Sequence, residues 1–595
     1  MSDVSTGDTG SPRALRSRRA LLPHALFLLI LSLGATLLLT WPLALHARDR
    51  LPDTNIAAPI DSLVAGWLLA YEAHALVTAP RDITAGNIFH PSPHAIFYGP
   101  LGLGALPIFA PIFIATGNTT LALNVLYLAG VALTAWSMAL VVRLWTGSLA
   151  AACGAASTLL ASQWLMRGMV ATAPFAAALF YLPFIIYLAA VRTRTVRESL
   201  WLVPLLVLQC LDDLVYIAPA VLAPLGVLAV VRFARARTRR SGIALATAIV
   251  LTLVVMSPMI AGYVAVRREN PNLAQQTFWP PPLGIPPAFG QLFSPASARA
   301  VPVPIAVLIV ALGIAFVSRA RGRPLRRRDT IWVHGALWFV VGVVLSLPRV
   351  VVVWQTVVPS PLGIVARWVP PLALARTTDR LGLAALMGSA LLAGAATAET
   401  LRLLRGRRSA APAWREAGVA AGVGIAAYLG SGHADPARSY LPRSYPLFAP
   451  PRWSDGAVAV LRAAPGSVVE LPFPSLEKTM PRVHARAMYR STGYWRPLIN
   501  GHHSYYPADF AARVSWASRL PDPQAIEVLR DTADLSLIAV PLDDLAPSTR
   551  LTWQIFAAHP PRGLRLAFQS RHEMIFAVLP RGGEPQGRPT RRDLE

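Results

Sequence analysis

The sequence predicts a polytopic α-helical membrane protein of about eleven transmembrane helices, followed by a small α+β extracytoplasmic C-terminal domain. Three observations predict it. Of 595 residues, 54% are hydrophobic and 14% charged, against about 25% charged in a soluble globular chain. Apolar runs of spanning length recur as far as residue 430. Arginine clusters fall between those runs, as cytoplasmic connectors do. This composition excludes disorder, a coiled coil and a tandem of soluble enzymes.

The net charge of +25 does not point to nucleic acid. Lys478 is the one lysine among 55 basic residues, a bias that fits a GC-rich coding sequence better than selection for phosphate contacts. Cys153 and Cys210 both lie in apolar runs, which argues against a disulfide framework or a cysteine metal site.

Residues 1–19 read as a cytoplasmic tail, and the apolar run 20–45 as an uncleaved first helix. Residues 46–118 form a large first outer loop. Further runs follow at 119–142, 149–165, 170–191, 199–231, 241–263, 301–317, 330–347, 380–400 and 415–430. Arg143, the Arg192–Arg197 group, Arg232 to Arg240, Arg319 to Arg328 and Arg402 to Arg408 separate them. If each cluster is cytoplasmic, an even number of crossings lies between successive clusters. That rule splits 199–231 into two short helices with Asp212 and Asp213 at their outer tip. It also makes 101–116, with Pro107 and Pro111, a re-entrant or interfacial helix. The spans thus close a transmembrane domain at 20–430. Residues 431–582 read as the outer domain, with strands at Val468 to Leu471, Leu535 to Val540 and Met574 to Leu579, and helices at 507–518 and 523–533. A disordered tail, 583–595, ends the chain. Gly418 and Gly422 are expected at a close helix crossing.

The first outer loop carries most of the chemistry. Pro59-Ile60-Asp61-Ser62 opens a helix-compatible stretch through Trp67, Tyr71, Glu72 and His74, which places Ser62, Gly66, Ala70 and His74 roughly along one side. Asn87-Ile88-Phe89-His90-Pro91 follows. Asp61 either caps the helix start or acts as a surface carboxylate, a general base on a hydroxyl or a cation ligand. Aspartates within an apolar segment are functional candidates by default, so Asp212 and Asp213 either complete an acidic pocket or mark an exposed hairpin tip. Arg376, Asp379 and Arg380 stand where a late helix begins, and arginine binds phosphate in a fixed bidentate geometry. The 264–300 loop, with Arg267, Arg268, Glu269 and Trp279, is either a lid or a connector. His90 and His94 are too constrained by Pro91 and Pro93 for a helical zinc pair, and His502-His503 read as a surface pair. No Gly-rich phosphate loop with lysine occurs.

The Asp after the first helix, the Trp/Tyr/His-bearing helix and the Asn-Ile-Phe-x-Pro segment together resemble bacterial membrane glycosyltransferases of the GT-C superfamily. The resemblance implies a GT-C-like fold and transfer of a sugar, with inversion, from a polyprenyl-phosphate-linked donor to a glycan or lipid acceptor. The setting would be the outer face of a bacterial cytoplasmic membrane, with the N-terminus inside. It gives Asp61 the role of catalytic base or metal ligand and leaves a divalent cation, Mg or Mn, open. Many members carry a second acid beside the first; here Asp61-Ser62-Leu63 has none. Arg380, with Arg376 or Arg267, would hold the donor phosphate. Glu72, Asp212 and Asp213 would be acidic partners, and Trp67, His74 and Asn87 substrate contacts. Two further classes remain open: a non-catalytic factor in cell-envelope polysaccharide assembly, and a lipid or sugar transporter, which few mid-helix charges favour.

Overall fold

The computed structural model describes residues 12–54, 58–168, 181–271, 283–284, 301, 303–321, 329–353, 356–368, 378–405, 413–433, 445–473 and 480–580. Arg376, Trp279, the first half of the 170–191 run and the 583–595 tail lie outside them.

The chain is an integral membrane protein. Among the described residues six helical stretches are long and apolar enough to cross a bilayer, and four apolar helices are shorter. The elements are α1 (Pro12–Leu39), α2 (Ala58–Thr78), α3 (Leu106–Thr116), α4 (Thr119–Thr146), α5 (Leu149–Leu160), α6 (Tyr181–Arg192), α7 (Leu202–Asp212), α8 (Ile217–Ala234), α9 (Arg239–Val255), α10 (Ser257–Glu269), α11 (Val303–Ala320), α12 (Thr330–Leu345), α13 (Leu383–Arg405) and α14 (Ala413–Tyr428). α1 begins eight residues before the expected position, since its arginines are good helix formers. The run at 199–231 is two helices, α7 and α8, joined by a short turn. At 11 residues, α3 is about 16 Å long, too short to cross a ~30 Å core.

The helix ends sort by chemistry. Thr146 and Ser148 line one cleft with Asp329, Glu399 and Arg402, and Glu399 pairs with both Arg319 and Arg402. Arg232 donates to the carbonyls of Ala190 and Val191. The opposite ends meet the C-terminal domain: the Tyr445 amide donates to Trp41 O at 2.7 Å, and Thr120 bonds the Tyr489 hydroxyl at 2.7 Å.

The closest helix crossing is not at Gly418 and Gly422, which are exposed and face open space. The buried side of α14 is rotated by about 100–140° around its axis, at Val423 and Ala427. Backbones approach instead between α12 and α13, where a Cβ at Gly342 would lie 2.0 Å from Ala385 N and one at Gly388 2.3 Å from Phe339 N.

In the C-terminal domain the three expected runs and an unexpected fourth strand form a four-stranded mixed sheet. β5 (Ser467–Glu470) pairs in parallel with β6 (Leu535–Pro541), and β8 (Glu573–Val578) runs antiparallel to β6 and to β7 (Leu564–Gln569). α15 (Asp455–Arg462), α16 (Met480–Ser491), α17 (Phe510–Ala517), α18 (Pro523–Ala533) and α19 (Pro547–Ala558) complete it. Elsewhere β1 (Leu51–Pro52) pairs with β4 (Leu447–Phe448), and β2 (Val350–Val353) with β3 (Thr356–Pro359). α2 lies between this domain and the bundle, packed on α16, α3 and α4.

Candidate functional site

α2 starts where Pro59 suits a first turn and Asp61 complements its positive end, and it stops before Pro80. Ser62, Gly66 and Ala70 are buried along one side. Gly66 is required there, because a Cβ would sit 2.8 Å from the Tyr489 ring of α16. Trp67 is wholly buried and donates to Asn87 Oδ1 at 2.7 Å. The Asn87 amide in turn donates to Ser491 Oγ at 3.3 Å and Arg496 O at 3.1 Å. His74 stacks on Trp495, centroids 4.3 Å apart and planes 5° from parallel. Trp495 holds φ +59°, a left-handed conformation uncommon for a bulky residue. Trp67 and Asn87 therefore fasten the first loop to the C-terminal domain, and His74 adds a half-exposed aromatic contact.

The acids divide by burial. Asp61 is half-buried, whereas Glu72, Asp212 and Asp213 are at 0%, 0% and 1% exposure. Glu72 and Asp212 are in electrostatic reach across residues 101–105, which thread between α2 and α7 on two glycines. A Cβ at Gly102 would lie 2.9 Å from Glu72 Oε2, and one at Gly104 2.3 Å from Leu208 O. Glu72 Oε1 accepts from the Gly102 amide at 3.1 Å. Among the described residues, Glu72 Oε2 and both Asp212 oxygens have no hydrogen-bond partner. Asp213 closes the turn into α8, accepting from the amides of Val215 (2.8 Å) and Tyr216 (2.9 Å). The pair is thus not an exposed hairpin tip: the turn is roofed by the first loop, with Tyr263 of α10 in electrostatic reach and its hydroxyl donating to Gly99 O at 2.8 Å.

Arg380 joins this neighbourhood. Its guanidinium lies 5.1 Å from the Tyr216 ring centroid and in electrostatic reach of Asp213. Arg267 stands on the exposed last turn of α10, one turn past Tyr263. Asp61 is on the same side of α2 as Glu72 but three turns away, about 17 Å at 1.5 Å per residue. Among the described residues no three His, Cys, Asp or Glu side chains converge tightly enough to hold a metal ion. The buried acids are an electrostatic neighbourhood, not a preformed cage.

Sequence reasoning missed Arg349. It stands just beyond α12, close to Tyr216 and to Tyr505 of the C-terminal domain; burial pushes its guanidinium down to about 10, with both tyrosines opposing. It remains charged at neutral pH. The signal was available, since an arginine in a loop assigned to the outer side breaks the sorting rule. His503 was also misjudged: it is buried, edge-on to Trp67 and against Gly99.

Neither a protein-family model nor a curated protein matches the sequence. The fold is similar to the crystal structure of the Archaeoglobus fulgidus oligosaccharyltransferase in the apo form, at 13% identity and TM-score 0.41, over 87% of this chain and 70% of that one.

Proposed function

We propose that this chain is a glycosyltransferase of a bacterial cytoplasmic membrane, transferring a sugar from a polyprenyl-phosphate-linked donor to a glycan or lipid acceptor on the outer face. The arginine-rich helix ends face the cytoplasm and the C-terminal domain the outside. The observation that carries the reading is the setting of Asp61. It occupies the first turn of a helix clamped between bundle and domain, and of the four candidate acids it alone is not buried. A general base must reach the proton it takes. Its exposure supports Asp61 for that role; the buried Glu72, Asp212 and Asp213 are assigned instead to the local field and the position of α2.

In the proposed step the acceptor oxygen attacks the anomeric carbon and its proton passes to the Asp61 carboxylate. The bond from that carbon to the phosphate oxygen breaks, and polyprenyl phosphate leaves with the electron pair, so the configuration inverts. Arg380 and Arg349 belong to the Asp213–Tyr216 neighbourhood, which Glu72 joins three turns of α2 from Asp61; their positive charge draws the anionic donor to this face rather than contacting the phosphate that departs at Asp61. Arg376 lies outside the described residues and Arg267 on an exposed turn; either could add to that charge. No step is assigned to a metal.

Glycolipid and envelope-glycan profiling of a deletion strain tests this. The wild-type chain restores the missing glycan; Asp61→Asn, inserted at equal level, restores less than about 1% of the initial rate, as loss of a general base costs about 10²–10⁴-fold. Full restoration by Asp61→Asn overturns the assignment. It would favour a non-catalytic assembly factor, a reading supported by the single acid in Asp61-Ser62-Leu63.

A further inference from the structure

The segment between α12 and α13 has a surface ill-suited to water. β2 and β3 form an antiparallel hairpin, and Pro361–Val365 folds back as a turn of helix. One side is packed: Leu362 is wholly buried in a cluster with Val215, Tyr216, Ala366 and Leu381. The other side is bare. Val357 is 57% exposed, Ile364 49%, Val365 45% and Trp368 83%. Isolated exposed apolar residues are ordinary, but a contiguous apolar patch marks an interaction surface.

Its position names the partner. The hairpin begins five residues after α12 ends, and α12 itself presents Val333 (53%) and Val340 (57%) outward. The lobe thus follows directly on a membrane helix that is apolar on its outward side. Arg367 is exposed beside Trp368, an arginine and a tryptophan at one level, as at a headgroup boundary. The lobe cannot sit deep. β3 is the edge of its sheet, because β2 pairs on its far side with Leu283–Gly284; unpaired edge amides and carbonyls are not tolerated in hydrocarbon.

We propose that residues 350–353 and 356–368 lie shallowly in the membrane leaflet at the C-terminal-domain end, with Trp368 and Arg367 among the headgroups and Val357, Ile364 and Val365 at the acyl boundary. The packed side then ties Tyr216, and with it Arg380, to headgroup depth. This stands independently of the sugar-transfer reading.

The test uses the full chain in phosphatidylglycerol/phosphatidylcholine nanodiscs, labelled with an environment-sensitive NBD dye at Val357→Cys, Trp368→Cys or, as a control on the exposed side of α18, Glu527→Cys; the parent chain with Cys153 and Cys210 serves as the blank. At 357 and 368 the emission is blue-shifted, quenched several-fold more by doxyl-labelled lipid than at 527, and shielded from iodide. Iodide access equal to that at 527 overturns the proposal. Shielding from both quenchers, as a second copy or another protein would produce, overturns it equally. Because these readouts need no activity, an inactive chain leaves the test intact.

Discussion

Arg490→Ala is expected to loosen the C-terminal domain and, through it, α2. Arg490 projects from α16 into the sheet, its side chain 5% exposed, where it pairs with Glu470 of β5 (2% exposed) and with Asp544. Its guanidinium also lies 5.3 Å from the Trp453 ring centroid. Burial works against charge on Arg490, but Glu470 and Asp544 outweigh it and hold the guanidinium above its ordinary value. Removing it leaves Asp544 its bonds from Arg486, at 2.7 and 3.0 Å, but strips Glu470 of its partner. Breaking a buried pair from one side costs about 3–5 kcal/mol, and the desolvated cation–π contact adds about 2 kcal/mol. A domain of this size loses about 3–6 °C in Tm per kcal/mol, so the shift is roughly 15–40 °C. Because the neighbouring Tyr489 touches Gly66 and bonds Thr120, α2 loosens at the same temperature. Thermal unfolding in nanodiscs, read by protection of the β5 and α2 amides from exchange, measures both. The double variant Glu470→Gln/Arg490→Met, which removes both charges, recovers much of the loss. A shift below about 3 °C, or a double variant no better than the single, refutes the reasoning.

The remaining predictions concern pH and the helix crossing. His484 is wholly buried beside Phe473 and Phe510, and burial, aided by His502, pushes its pKa from 6.5 down to about 3. The unfolded chain therefore takes up the proton first as pH falls, so stability is full above 6.5 and declines from there toward about 3, by roughly 1.4 kcal/mol per pH unit. His484→Phe should flatten that part of the Tm–pH curve; an unchanged slope would show that the imidazole does not govern it. Gly342→Ala should destabilise the α12–α13 pair by about 1–3 kcal/mol, whereas Gly418→Ala, facing open space, should be neutral or raise Tm slightly. Equal effects of the two substitutions would contradict the assigned crossing.

What could be read from sequence followed from rules that act locally. Arginine sorting and the proline-bearing 101–116 run predicted α3 and the α7–α8 break because span length and charge are properties of short windows. Alternating apolar runs gave β5, β6 and β8 within a residue or two. What was illegible depends on partners distant in the chain. Asp212 and Asp213 look like an exposed tip until residues 101–105 are laid across them, and that placement hinges on Gly102 and Gly104 meeting Glu72 and Leu208. Gly418 and Gly422 carry the spacing of a contact helix, yet the pattern cannot say which side of α14 a neighbour takes. The same holds for Trp67 and Asn87, whose partners in the domain are about 400 residues away.

α2 shows where composition misleads most. Pro59–Thr78 is one of the six stretches apolar enough to span, though its mean hydropathy of 1.2 is the lowest of them. If it crossed, its two ends would stand on opposite faces of the bilayer. Both flanks of the helix are instead tied to one domain. Before it, Leu51 and Pro52 pair with Phe448 and Leu447. After it, the amides of Phe89 and His90 donate to Asn500 O and Leu498 O at 3.1 and 3.0 Å. A domain cannot hold both ends of a spanning helix unless part of it passes through the membrane, and a mixed sheet with an open edge is not such a part. The apolar content of α2 serves burial against α16, α3 and α4 instead. The consequence is positional: Asp61, in the first turn of α2, sits in the layer between bundle and domain.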